Sequence, residues 1–425
     1  MDDVEVSEAS PPPFPATQSP TNNNYPILNV LEALKEASHQ LQTNSSSSSD
    51  LDSAIKVLLE LETESNSILS VDPHLSILSS HLADLKVLVQ TQEESKSKHR
   101  IRSFLSNRVR AHEISRVSSL IESEIQAWID RETTNELGKK LEEWSNNRTD
   151  SSSSSDEEIL LAKLSQFRDR LHMGFDIQLQ EMLLKSRIYS LLESLLCNSS
   201  ISKSVREMAA YTLKELILFN KDVFVGQVLG GQTIKALVTM GSFCGLEVLK
   251  SLIKAIKSPL VDELESSGGI VKIVDTLDST DLALKIMALD CIMEIGYYGR
   301  KEAIEAMLNA GLIKKLVDLQ RSELGGELID AGKSQSEECG AEIEGREVYL
   351  GMFETRGSKE KRFMESHPFT SCVAKFAVQL EVGEGLRQRE KRAFKQEILK
   401  RVREASVSDA EAATIVAEVL WGSSP

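Results

Sequence analysis

A short pattern recurs along the middle of this chain and limits its fold more than any other feature. Three stretches share it: residues 205–240, 247–277 and 285–319. Each holds a helix with apolar residues three apart, at Leu213 and Leu216, at Leu249 and Leu252, and at Ile292 and Ile295. Eighteen or nineteen residues later each has a β-branched residue followed by lysine: Ile234-Lys235, Val271-Lys272 and Ile313-Lys314. A glycine precedes the pair by two or three residues, at Gly231, Gly269 and Gly311. The pairs lie 37 and 42 residues apart. Self-similarity at this period is the mark of stacked units, because no single unit buries its own apolar face and each needs a neighbour to cover it.

The glycine marks the junction before the last helix of each unit, where a tight backbone is needed. A period near 40 with two or three helices per unit lies in the armadillo and HEAT range. The segment GLIKKLVDL, residues 311–319, resembles the start of an armadillo third helix. The fold class expected is therefore all-α, an N-terminal helical bundle followed by a short armadillo-type α-solenoid. Composition agrees: 41% hydrophobic residues, 5% aromatics and ten prolines favour packed helices over sheets.

The remaining chain divides around that core. Residues 1–25 carry Pro11, Pro12, Pro13, Pro15 and Pro20 with polar filler, and read as a disordered leader. Residues 26–145 show four amphipathic stripes, around Ile27–Leu41, Leu51–Leu61, Leu75–Leu88 and Ile114–Trp144, and predict a bundle. The Ser-rich segment 146–156, with its run from Ser151 to Ser155, reads as a linker, either plain or phosphorylated by a kinase that prefers the acids at 156–158. Residues 157–200 predict connecting helices, 201–320 the armadillo repeats, 321–367 a glycine-rich flexible insertion and 368–425 a terminal repeat or cap with a polar outer face. The insertion reads as a mobile loop or a binding loop.

Bundle, linker and repeats in this order resemble the plant U-box armadillo family. In that family a U-box lies between bundle and repeats and recruits a ubiquitin-conjugating enzyme. Residues 146–200 hold no Cys-Pro start of a U-box. The resemblance thus implies a plant source and protein binding, without ligase activity.

No catalytic constellation emerges. Cys197, Cys244, Cys291, Cys339 and Cys372 form no CxxC pair; four of them sit among apolar helical residues and read as small hydrophobes, in a reducing compartment. Of seven histidines, His74 and His81 form the nearest helical pair, and seven residues is too long for a metal site on one helix. The segment 325–334 approaches a phosphate-binding loop, but Glu327 stands where its first glycine is required. No cofactor or metal is expected, nor an enzyme. The tryptophans Trp128, Trp144 and Trp421 read as packing anchors. The acidic start has no apolar signal region, and no apolar run reaches a membrane span.

Two charged features are candidates for binding. Lys235, Lys272, Lys314 and Lys315 lie on the third helices, and one lysine per repeat would line a groove for an acidic peptide or phosphopeptide; the alternative is ordinary solvated surface. Lys96, Lys98, Arg100, Arg102, Arg108 and Arg110 form a basic stretch, read as a docking surface, a membrane-surface patch, a nuclear targeting signal or a solvated helix face. With 65 acids against 49 bases the net charge is −16, which disfavours nucleic acid as a partner. The function expected is a protein-binding scaffold or adaptor in the cytoplasm or nucleus. A regulatory subunit of ubiquitin ligation and a nuclear transport or transcription-linked factor are the alternatives.

Overall fold

The computed structural model describes residues 31–39, 75–95, 102–146, 154–325 and 366–421. Every regular element among them is helical. The chain divides into two compact units, Met1–Thr133 and Thr134–Pro425.

In the first unit, residues 31–39 are helical, followed by α1 (Ser76–Ser95) and the start of α2 (Arg102–Asn146). Three of the four expected stripes bury: Leu31 and Leu34, then Leu75, Leu78, Leu82 and Leu85, then Ile114, Val117, Ile121, Ile125 and Trp128. The stripe at 51–61 lies outside the described residues. The unit closes earlier than the expected 145. Leu137 and Leu141 of α2 bury in the core of the second unit, with Leu160 and Leu164, and Lys163 bonds Glu136 at 2.6 Å.

The second unit is a row of helix triplets. The first is α3 (Ser154–His172), α4 (Ile177–Ser186) and α5 (Ile188–Cys197). The second is α6 (Lys203–Phe219), α7 (Lys221–Gly230) and α8 (Thr233–Met240). The third is α9 (Phe243–Ile256), α10 (Ser258–Ser266) and α11 (Gly269–Asp275). The fourth is α12 (Leu282–Tyr298), α13 (Lys301–Asn309) and α14 (Leu312–Arg321). The fifth is α15 (Cys372–Val382), α16 (Gln388–Ala405) and α17 (Asp409–Trp421). Each first helix stacks on the next: α3 on α6, α6 on α9, α9 on α12 and α12 on α15. This is the armadillo-type α-solenoid that the period implies. It is longer than 201–320, since residues expected to be connecting helices form a triplet of their own. Ser154 and Ser155, read as linker, open α3.

Local sequence starts the first helices of the second, third and fourth triplets. Ser202 accepts the Val205 amide at 3.4 Å, Ser242 the Gly245 amide at 3.2 Å, and Asp281 the Ala283 amide at 2.9 Å. These N-caps satisfy amides that have no partner inside the helix. They recur at the repeat period. So do the bonds between triplets: Lys250 to Asp290, Ser258 to the Tyr298 carbonyl and Lys315 to Asp275 each span 40 residues, and Tyr211 to Glu247 spans 36. A bond of that span joins one unit to its immediate neighbour, as solenoid stacking requires.

The glycines serve different purposes from the single one expected. Gly311 takes the left-handed conformation before α14 (φ 79°). In the preceding triplet Gly268 (φ 70°), not Gly269, has that role. Gly269 is the first residue of α11, where a Cβ would lie 2.9 Å from Leu264 Cδ2. Gly231 has an extended backbone, and its need for glycine comes from packing alone.

The connection from α14 to α15 carries the expected insertion. Residues 326–365 of it, with the phosphate-loop-like segment and Cys339, lie outside the described residues. Its ends meet where the Phe369 amide donates to the Leu324 carbonyl at 3.2 Å. The terminal cap differs from expectation. α16 buries Phe394, Ile398 and Val402 and is polar outside, but α17 exposes Leu420 and Trp421. Trp421, expected to anchor packing, is 83% exposed because the core side of α17 is taken by Ile415 and Val419.

Candidate functional site

The third helices α5, α8, α11 and α14 carry the candidate lysines. Each alternates two buried residues with two that face out, the pattern of a helix half-sunk in its neighbours. Counting from the residue before each helix sets the register. Arg187, Gln232, Gly268 and Gly311 are the caps. Three residues on stand Ser190, Lys235, Val271 and Lys314, all exposed. Four residues on stand Leu191, Ala236, Lys272 and Lys315. Lys235 and Lys314 therefore share one position, and Lys272 sits one residue further, beside Lys315. The expected row of Lys235, Lys272 and Lys314 at one position is corrected to two adjacent rows.

Lys235, Lys272 and Lys314 are exposed, and among the described residues no carboxylate lies within ion-pair distance of them. Lys315 differs. Its ammonium lies 2.8 Å from Asp275, 2.9 Å from Asp278 and 3.3 Å from the Val274 carbonyl. Burial works to lower its pKa, but the hydrogen bonds it donates to the two aspartates hold it above the ordinary lysine value. A cation at the C-terminal end of α11 also meets the negative end of the helix dipole. Lys315 thus ties the fourth triplet to the third. Lys272 holds the same position one triplet earlier and lacks such partners, because Thr239 and Met240 stand on α8 where α11 ends in Asp275.

The first-helix side shows the opposite pattern. Lys250 pairs with Asp290 at 2.6 Å, Lys254 with Glu294 at 3.0 Å and Lys257 with Glu384 at 3.0 Å. There each cation meets an acid from a later triplet.

Sequence reasoning missed a carboxylate at the start of the third-helix row. Glu193 of α5 accepts the Gln232 amide at 2.7 Å, the Thr233 amide at 2.8 Å and the Thr233 hydroxyl at 2.7 Å. It caps α8 from the previous triplet, placing an anion at the positive helix end. Beside it Tyr189 bonds Thr233 at 2.8 Å, and burial raises its phenol pKa. The cue was Gly231: a Cβ there would overlap the Glu193 carboxylate. A second group was equally hidden. Tyr211 donates to Glu247 at 2.6 Å, with Arg168 and Lys214 over its ring at 5.4 and 5.3 Å. The Arg168 contact joins the first triplet to the second, and the bond to Glu247 joins the second to the third, so the group is spread from residue 168 to residue 247.

The basic stretch is not assembled into a described surface. Lys96, Lys98 and Arg100 lie outside the described residues, and Arg102, Arg108 and Arg110 are placed only by the backbone of α2.

The cysteines Cys244, Cys291 and Cys372 are buried, while Cys197 is exposed. Burial pushes the Cys244 thiol up to about 11 and that of Cys372 to about 12, and raises Cys291 as well. A thiol held protonated is a poor nucleophile. Each Sγ contacts a carbonyl of the preceding triplet, as Cys291 does with Leu246 at 3.3 Å. Among the described residues no group of three or more His, Cys, Asp or Glu is placed to hold a metal ion. No single described helix is long and apolar enough to cross a membrane. The bent pair Lys221–Gly230 and Thr233–Met240 passes by length and composition, but its Phe224, Val228, Ile234 and Leu237 are buried among the triplets.

No family model matches this chain, and no curated protein matches it. Among solved structures it is similar to a computationally designed armadillo repeat protein for modular peptide recognition. The identity is 15% and the TM-score 0.39, over 67% of this chain and 98% of that one. A designed armadillo repeat protein in complex with the peptide (KR)4 shows 17% identity and a TM-score of 0.31, over 67% and 97%. An engineered protein shows 14% identity and a TM-score of 0.38, over 94% and 98%. These superpositions are partial, and the fold rests on the helix triplets themselves.

Proposed function

We propose that this chain is a non-catalytic scaffold that binds an acidic or phosphorylated segment of a partner protein along its third helices, through Lys235, Lys272 and Lys314. One observation carries the reading. Lys250, Lys254 and Lys257 on the first-helix side are each neutralised by an acid of a later triplet, whereas these three third-helix lysines have no such acid among the described residues. In a chain of net charge −16, exposed cations in three consecutive triplets make a local surface of opposite sign. Lys315 is excluded from the contact set, since Asp275 and Asp278 already hold it. The paired cation ladder on the other side leaves that side less suited to an anionic partner. The buried thiols Cys244, Cys291 and Cys372 support the cytoplasm or nucleus as its location, because unpaired cysteines persist in a reducing compartment.

The test is binding of fluorescent Glu-rich and phosphoserine-containing peptides to the full chain, followed by polarisation. Changing Lys235, Lys272 and Lys314 together to Glu should weaken binding at least about tenfold, from about 0.2–1 kcal/mol per exposed pair plus the repulsion introduced. The wild-type affinity should fall as salt rises, because exposed charges are screened within about 10 Å at 0.1 M. Unchanged affinity in the triple variant, at matched helix content, would remove these lysines from the site.

A further inference from the structure

We propose that the outward stripe of α16, together with the apolar tips at its C-terminal end, docks this chain on an anionic membrane surface. α16 holds seven cations and three acids, in a chain of net charge −16. Phe394, Ile398 and Val402 bury one side of it. At about 3.6 residues per turn the opposite side falls to Arg389, Arg392, Gln396, Lys400 and Arg403. All five are exposed. At a rise of about 1.5 Å per residue they form a line roughly 21 Å long.

The cations of α16 divide by the side they stand on. Those on the flanks are engaged within the fold. Lys391 donates to the Glu381 and Gly383 carbonyls at 2.9 and 2.8 Å, Lys395 pairs with Glu381 at 2.9 Å, and Arg401 pairs with Glu397 at 2.7 Å. Those of the outward stripe are not. Among the described residues no carboxylate lies within ion-pair distance of Arg389, Arg392 or Arg403. Lys400 has Glu404 of its own helix at 3.9 Å, both groups in water. Glu404 and Asp409 are the exposed acids near the end of the stripe, and they leave it a surplus of two positive charges. Four outward cations on a helix pinned by its buried side form a fixed surface of opposite sign to the chain.

What the stripe adjoins selects the partner. Arg403 lines an open groove with Val407, Leu420 and Trp421, so the row of cations ends beside three apolar side chains. Val407 is 79% exposed, Leu420 52% and Trp421 83%. The two features together require a partner that offers anionic groups and an apolar layer side by side. A bilayer with acidic lipids does so: headgroups meet the cations, Trp421 sits at headgroup level, and Val407 and Leu420 reach the acyl boundary. A nucleic acid backbone would satisfy the cations and leave Val407 and Leu420 in water. Stable peripheral attachment takes two signals, and the charge and the apolar tips are two. The acids elsewhere on the chain oppose the approach weakly, since at 0.1 M salt charges are screened within about 10 Å.

The experiment is flotation of the full chain with phosphatidylcholine vesicles and with mixed phosphatidylcholine–phosphatidylserine vesicles. The wild type should float with the mixed vesicles alone, and less so as salt rises, with a blue shift of tryptophan emission as Trp421 leaves water. Each cation near an acidic leaflet contributes about fivefold to partitioning, so Arg389→Gln with Arg392→Gln should weaken binding about 25-fold. Trp421→Ser should weaken it about tenfold and abolish the blue shift. These positions are exposed, so helix content and thermal stability should match the wild type. The triple change of Lys235, Lys272 and Lys314 to Glu should leave flotation intact, which separates this surface from the peptide site. The proposal is overturned if the wild type fails to float with the mixed vesicles or floats equally with the neutral ones. It is also overturned if the arginine pair or Trp421 can be replaced without loss. Binding of a DNA or RNA duplex without binding of vesicles would assign the stripe to nucleic acid and overturn it too.

Discussion

Replacing Gly231 by alanine should damage the solenoid through a residue 38 positions away. The backbone at Gly231 is extended (φ −100°, ψ −165°), so the replacement carries no conformational penalty of its own. Its cost comes from what the new Cβ meets. It would lie 2.6 Å from the Gln227 carbonyl oxygen and 3.1 Å from Glu193 Cδ, overlapping the carboxylate. The Gln227 oxygen belongs to a helix backbone and yields little. Glu193 must turn away, and its three bonds to Gln232 and Thr233 go with it. Loss of a helix cap costs about 0.5–2 kcal/mol, and charge-assisted bonds lie toward the upper end. Displacing the Gln227 region adds some tenths, so Gly231→Ala should cost about 2 kcal/mol. The assay is a double-mutant cycle with Glu193→Ala, read by denaturant unfolding and by hydrogen exchange at the Gln232 and Thr233 amides. In the Glu193→Ala background the glycine replacement should cost about 1 kcal/mol less, since the cap is already gone. Exchange at both amides should quicken in either single variant. Equal costs in both backgrounds would show that the steric conflict is with the α7 backbone alone and would refute the capping argument.

Two further outcomes follow from local chemistry. Arg187 holds the left-handed conformation (φ 54°) between α4 and α5, where a Cβ is unfavourable, so Arg187→Gly should raise stability by about 0.5–1 kcal/mol in thermal unfolding. The Glu411 carboxyl is lowered below its ordinary pKa, first by the hydrogen bond from Arg321, while partial burial opposes the shift. A group depressed in the folded state stabilises above its unfolded pKa and loses that contribution as pH falls through the folded value. The wild type should therefore lose stability relative to Glu411→Gln between about pH 5 and 3, and parallel curves would exclude the linkage.

Much of this fold was legible because its repeating parts use residues with few alternative roles. Paired leucines and isoleucines three apart marked the first helices, and a glycine followed by a β-branched residue marked the third. The reading failed where another residue took the same backbone. At the start of α5 the left-handed position belongs to Arg187, so the first triplet lacked its glycine and read as connecting helices. At Gly268 and Gly269 two glycines stand in succession, and choosing the second moved Lys272 by one place. The candidate lysines were visible as a recurring charge. Which of them is free was not, because Asp275 and Asp278 hold Lys315 through packing of one triplet on another. The Glu193 cap was illegible for the same reason, since its partners lie 39 and 40 residues away.

The regular span of the bonds between triplets bears on how the chain assembles during synthesis. A bond such as Lys250 to Asp290 or Ser258 to Tyr298 can form once 40 further residues have emerged. Each interior triplet can thus dock on the one made before it while the remainder is still being translated, without waiting for a distant strand or helix. The fifth triplet breaks this rhythm. Its bonds to earlier ones reach 90 residues from Arg321 to Glu411, 98 from Gln320 to Glu418 and 127 from Lys257 to Glu384. At synthesis rates of about 5–20 residues per second, the apolar flank of α14 waits roughly five to twenty seconds for its cover. That interval, rather than any weakness of the finished fold, is when a nascent chain would most need a chaperone.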